Sequence, residues 1–279
     1  MTTQESRYDR IADGYAEWWS PVHRPATLQL LDEVAGDLVV DGAGGPDGGL
    51  RRVVDVGCGT AAMAAAAAGR WPNIEVDATD ISAGMLAVAA RTLDEAGEAG
   101  TRIRLVQAPA DRLPFPDGTF DVALAAFVLQ LVPSRPRVLR EMRRVLRPGG
   151  RLAFVGWLRG ELPLAADDAW DATLEAAGLG GRESSGGHDD LASAAAAAAS
   201  LRRAGLSRVT ARADRLVHAF TPEGYAAFVT RFDDGDLVSS LEPDVRETVV
   251  TDLLARLRRL PPAGLRLVLP IVYASGVRP

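Results

Sequence analysis

The chain has 279 residues, of which 47% are hydrophobic and 24% charged, enough apolar material for a sizeable core in one large domain or one domain with an elaborated cap. Its net charge of −6 counts against a main role in gripping nucleic-acid phosphates. A single cysteine, Cys58, excludes an intramolecular disulfide; with a charged N-terminal stretch (MTTQESRYDR) and no apolar run near ~20 residues, this points to a soluble, cytoplasmic protein with no membrane partner.

Tyr8, Ile11, Tyr15, Trp18 and Trp19 recur at spacings of three and four, which predicts a helix over 6–20. A second helix is expected over 25–38, and the composition of DGAGGPDGGL (41–50) predicts a turn. Residues 1–48 therefore read as an N-terminal helical lid on a domain covering 49–279.

From residue 52 the pattern alternates strand and helix. Strands are expected at 52–56, 74–80, 103–108, 120–127 and 151–157, with helices at 60–70, 82–97 and 134–147. The last of these helices is expected to stop at Pro148-Gly149-Gly150. Beyond 160 we expect helices at 165–177, 193–206, 221–232 and 243–259 and strands at 208–220 and 265–276. Insertions building an acceptor site are expected around 160–205 and 221–260. The alternation implies an α/β fold with a mostly parallel sheet and right-handed crossovers.

Asp55-Val56-Gly57-Cys58-Gly59-Thr60-Ala61 follows a buried strand and opens a helix, where glycines allow a tight turn and close approach to a ligand. Asp80 ends the next strand about twenty residues on, where a carboxylate can accept both ribose hydroxyls. That feature suits NAD and S-adenosylmethionine alike. The loop reads G-x-G-x-A with alanine at 62, whereas pyrophosphate binders favour G-x-G-x-x-G, so the spacing favours the phosphate-free nucleoside.

VVDVGCGT, VDATDIS, LPFPDGTFDVALA and LREMRRVLRPGGRLAF, in this order, resemble the successive motifs of class I S-adenosylmethionine-dependent methyltransferases, over about 50–157. The similar branch is type 11, which includes ubiquinone and menaquinone methyltransferases and many natural-product enzymes. The resemblance implies a Rossmann-like, doubly wound α/β fold, with a mostly parallel seven-stranded sheet, an antiparallel last strand, an N-terminal helical lid and helical insertions; it also implies S-adenosylmethionine as cofactor, S-adenosylhomocysteine as product, and a small-molecule acceptor, a specialised metabolite by expectation. It places Asp55, Gly57, Cys58 and Gly59 at the methionine part, Asp80 at the ribose, and Ile81 and Met85 against adenine. Ala110 and Asp111 would lie at the adenine edge, and Phe127 and Gln130 would face the methyl donor. Tyr15 of the lid would hydrogen-bond the cofactor's carboxylate. Two positions depart from the pattern. Ala61 replaces a common third glycine, expected to serve only helix–strand packing, and Pro109 stands where an acid is common, so adenine recognition is lost or moved to Asp111.

Methyl transfer from a sulfonium needs alignment and exclusion of water more than it needs any one side chain. His23 and Gln130 are the catalytic candidates; the alternative for His23 is a partly exposed turn residue. His188 is expected in solvent and His218 within a sheet. Trp18 and Trp19 are expected near the acceptor. Tyr225, Phe228 and Phe232 share a helix face and are either core or acceptor wall. Asp233-Asp234-Gly235-Asp236 lacks the later bidentate acid of a calcium hand, so no metal is expected. A repurposed S-adenosylmethionine-binding protein and an NAD(P)-dependent oxidoreductase remain as alternatives, although the chain has no Tyr-x-x-x-Lys pair for the latter. The acceptor atom and the oligomeric state stay open.

Overall fold

The structure, a computed structural model, describes residues 3–39, 50–160, 163–180 and 190–279. The turn expected at 41–50 (Leu50 apart) and His188 lie outside the described residues. Seven strands form one sheet: β1 (Arg51–Val56), β2 (Ile74–Asp80), β3 (Ile103–Gln107), β4 (Phe120–Ala126), β5 (Leu146–Trp157), β6 (Ser207–Ala219) and β7 (Arg266–Val277). Their order is β3-β2-β1-β4-β5-β7-β6. β1 pairs in parallel with β2 and β4, and β7 runs antiparallel to both β5 and β6. The last strand alone therefore opposes the other six.

The helices are α1 (Thr3–Gly14), α2 (Ser20–Glu33), α3 (Ala35–Leu38), α4 (Ala62–Arg70), α5 (Ala83–Glu95), α6 (Arg135–Val145), α7 (Ala165–Ala176), α8 (Ala194–Arg203), α9 (Pro222–Phe228), α10 (Gly235–Ser240) and α11 (Pro243–Leu257). None is long and apolar enough to cross a membrane among the described residues.

Side-chain alternation along the central strands splits the core into two layers. Val53, Val122, Leu124, Ala153 and Val155 pack with α2 and α4 on one face. Val54, Val56, Ala123, Leu152 and Phe154 pack with α6 and α8 on the other. Both faces are covered, which is why these strands read as near-continuous apolar runs. A separate core of Trp170, Tyr225, Val229, Val249 and Leu253 holds α7, α9 and α11 together beyond the sheet.

Two expectations are corrected here. The lid does not break between two helices. After α1, a single π-type turn (Tyr15–Trp19) runs straight into α2, so His23 lies on a helix rather than in a turn. Pro21 stands directly after this turn, at the start of α2. Val22, Ala26 and Leu30, spaced by four, continue the buried stripe past Pro25. Likewise α6 ends at Val145, and β5 begins at Leu146, before the expected stop at Pro148. Gly149 absorbs a positive φ of 82°, and the pairing with β4 shifts register between Phe120 and Val122.

The order of strands reverses between β1 and β4, and open α/β sheets hold ligands in the crevice at the carboxyl ends of such a pair. That crevice is bounded by the loop after β1, the end of β2 and the segment after β4.

Candidate active site

The loop after β1 turns back on β2. The amides of Gly57 and Cys58 both donate to the Thr79 carbonyl at 2.8 Å. Gly57 has φ +70°, and a Cβ there would stand 2.4 Å from Val128 Cγ2, so only glycine fits. Gly59, at φ +53°, directs its amide to Asp80 Oδ2 (2.9 Å), while the Ser82 amide donates to Asp80 Oδ1 (2.9 Å). These two bonds fix the Asp80 carboxylate at the edge of the crevice. Burial nonetheless raises its pKa. Ala61 also has a left-handed backbone, φ +59°. The glycine it replaces therefore served backbone conformation, which corrects the reading that this position only packs helix against strand.

A cavity of about 350 Å³ opens here, lined by Tyr8, Tyr15, Gly57, Gly59, Asp80, Ile81, Met85, Ala110, Asp111 and Phe127, and by the segment Leu131–Ser134. Met85 is buried and Asp111 is exposed at the rim. α1 borders this cavity through Tyr8 and is fastened to the start of α5. Asp9 Oδ1 accepts from Ser82 Oγ (2.6 Å) and from the Gly84 amide (2.9 Å), capping the first turn of α5. These bonds hold the Asp9 carboxyl below the usual range. Ser82 thus contacts both Asp80 and the lid.

A second, smaller cavity of about 60 Å³ adjoins the first. It is lined by Tyr15, His23, Arg24, Asp55, Gly57, Cys58, Gly59 and Phe127. Asp55 is 1% exposed, and both its carboxylate oxygens are buried without a hydrogen-bond partner among the described residues. Burial, with Asp80 nearby, pushes its pKa up to about 7. Burial also raises the Cys58 thiol. Arg24 had no signal in the sequence, because its helical spacing is that of any exposed residue.

The third cavity, again about 350 Å³, is lined by aromatic rings: Tyr8, Tyr15, Trp19, His23, Phe127, Trp157, Phe228 and Phe232, with Arg7, Gln130, Asp190 and Asp233. Tyr15 and Phe127 line all three cavities. Phe127 holds φ +57°, unusual for a bulky residue, directly after β4. His23 is buried and stacks on Phe127 at 4.4 Å, with Trp19 at 4.9 Å and Trp157 at 5.2 Å. Its Nδ1 lies 3.0 Å from the Tyr15 hydroxyl, and its Nε2 has no hydrogen-bond partner among the described residues. This enclosure drives the His23 pKa down to about 3. Gln130 is buried too; its Nε2 donates to the Phe127 carbonyl at 2.6 Å, and its Oε1 has no partner among the described residues.

Two acceptor-wall candidates lie elsewhere. Tyr225 sits in the core of the insertion, its hydroxyl donating to Asp167 Oδ1, and Trp18 packs against that same core. Phe228 belongs to the same core but also borders the opening. Asp234 accepts from Trp170 Nε1 (2.6 Å), giving the acidic turn a structural duty. His218, on β6, is half-buried against Phe220. Trp157 and Phe232 border the third cavity, Trp157 unanticipated because the end of β5 carries no local mark of a site.

Residues 54–154 match the family described as a methyltransferase domain. The chain therefore carries a methyltransferase domain over those residues. It is 42% identical over 161 residues to the ubiquinone/menaquinone biosynthesis C-methyltransferase UbiE of Ectopseudomonas mendocina (strain ymp), covering 58% of this chain and 57% of that one. With the protein of the same name from Stutzerimonas stutzeri (strain A1501) it is 36% identical over 171 residues, 61% of each chain. It thus spans less than two thirds of the length of these curated relatives. Among solved structures, the 4+2 cyclase SpnF superposes with a TM-score of 0.54 at 24% identity, over 90% of this chain and 80% of that one. The YcgJ protein from Bacillus subtilis gives 0.51 at 21%, over 82% and 92%. These two likenesses show the fold.

Proposed function

We propose that this protein transfers the methyl group of S-adenosylmethionine to a small, largely apolar acceptor held in the aromatic cavity. The observation that carries the reading is the shared wall. Tyr15 and Phe127 border the crevice at Asp55 and Asp80 on one side and the aromatic cavity on the other.

The residues fit the nucleoside. Asp80, fixed by two amides, faces the cavity as a ribose acceptor. Asp55 offers a buried carboxylate lacking a partner, suited to the ammonium of an amino acid, with Tyr15 and Arg24 able to meet its carboxylate. Ile81 and Met85 supply an apolar slot for adenine. The bound cofactor supplies a sulfonium methyl open to in-line displacement. The protein's part is to hold the acceptor about 3–3.5 Å from it and to exclude water, which the rings around the third cavity do. The relatives named for ubiquinone/menaquinone biosynthesis make a quinone ring one acceptor to try, beside hydroxylated specialised metabolites.

The test is calorimetry with S-adenosylmethionine, S-adenosylhomocysteine and NAD, followed by a labelled-methyl assay over such a panel. Asp80→Ala leaves the Gly59 and Ser82 amides without their acceptor and should weaken both sulfur nucleosides by at least about 30-fold. Binding of NAD but of neither sulfur nucleoside would refute the reading.

A further inference from the structure

We propose that His23 is the base that takes the acceptor's proton, and that Tyr15 is the positioning residue that makes it one by setting which ring nitrogen carries hydrogen. The inference rests on the methyltransferase reading above and deepens it.

A neutral imidazole has one N–H and one lone pair, and the hydrogen bond at one nitrogen decides which is which. At His23 the nitrogen with a partner is Nδ1, 3.0 Å from the Tyr15 hydroxyl. Nε2 is the enclosed nitrogen that has none among the described residues, on a side chain lining the aromatic cavity. Burial keeps the imidazole neutral and the Tyr15 phenol protonated. The pair therefore shares two protons and has two arrangements. If Tyr15 donates to Nδ1, the ring proton sits on Nε2 and His23 cannot accept. If Tyr15 donates elsewhere, its oxygen takes the Nδ1 proton as a hydrogen bond, and the Nε2 lone pair is free.

Tyr15 lines the cavity that holds Asp55, so the carboxylate of a bound amino-acid moiety is the acceptor that would draw its O–H away from Nδ1. Cofactor binding then arms the base before the acceptor reacts. In the transfer, the acceptor atom bonds the methyl carbon, the carbon–sulfur pair stays on sulfur, and the acceptor's proton passes to Nε2. The sulfonium charge is lost as the imidazolium charge appears, so the buried site carries one positive charge throughout and no extra charge is buried. Gln130, anchored through Nε2, leaves Oε1 to receive a second donor on the acceptor.

The experiment reads imidazole tautomers by long-range proton–nitrogen correlation on nitrogen-labelled full chain, with S-adenosylhomocysteine as probe. His23→Gln identifies the His23 signals among the three histidines, and the Gly59 amide reports loading independently. We expect the proton on Nε2 without nucleoside and on Nδ1 at saturation. Tyr15→Phe should still bind, more weakly, and lose the change. A loaded protein that keeps the proton on Nε2, or a Tyr15→Phe protein that still switches, overturns the proposal while leaving the methyltransferase reading intact. A Gly59 amide unmoved at high nucleoside concentration overturns both.

Discussion

Asp55 carries a measurable consequence. Its carboxyl is buried, unpaired among the described residues, and raised to about 7, so at pH 6 about nine-tenths of the molecules hold it protonated. The amino group of the nucleoside, with an ordinary pKa of about 7.7–8.0, is already an ammonium at that pH. An opposite charge within reach lowers a carboxyl by about one to three pH units, which brings Asp55 to between about 6 and 4. Binding S-adenosylhomocysteine at pH 6 should therefore release about 0.4 to 0.9 proton per site. Calorimetry at pH 6 in two buffers of different ionisation enthalpy measures that number directly, and Asp55→Asn should bring it to zero. A wild-type heat that does not depend on the buffer, or the same dependence in Asp55→Asn, would refute the pairing of Asp55 with the ammonium.

The same group makes stability depend on pH in the nucleoside-free protein. Its native pKa is raised, so the native state binds the extra proton. Wild type should lose stability relative to Asp55→Asn as pH climbs from about 4 to 7, by at most about 4 kcal/mol, read from urea midpoints. Gly57→Ala should cost more than Gly59→Ala. Both pay about 1–2 kcal/mol for the left-handed backbone, but only at Gly57 does the new Cβ meet Val128, adding about 1–3 kcal/mol that Val128→Ala should largely recover. Phe228→Leu, which borders the aromatic cavity and not the crevice, should keep S-adenosylhomocysteine affinity within about twofold while raising the acceptor KM.

The sheet was legible because each strand's burial is written in its residues. β1 and β4 are apolar on both faces, and β6 alternates as an edge strand does. The crevice was legible for a related reason: the loop after β1 and Asp80 lie close in sequence to the strands that place them. The aromatic cavity was not. Its rings come from α1, α2, the residue after β4, β5, α9 and the two π-type turns, Tyr15–Trp19 and Val229–Asp233, and no sequence pattern marks a π turn. Each such turn rotates the helix after it, which carried His23 from an expected exposed turn into the buried stack. Likewise Tyr225 and Phe228 look equivalent on a helical wheel. Both pack into the core of the insertion, Tyr225 bonded to Asp167, and Phe228 alone of the two also borders the opening.

Ser82 binds the lid through its hydroxyl and the Asp80 carboxylate through its amide, one residue serving two neighbours. Thermodynamic reciprocity then applies. Whatever free energy the docked α1 helix contributes to holding the ribose, the ribose must return in full to the docking of α1. A saturating nucleoside should slow hydrogen exchange along residues 3–14, and deleting the Asp9 contact should loosen the nucleoside. The N-terminal helix is in that sense a second ligand of the site, tethered to it by the chain.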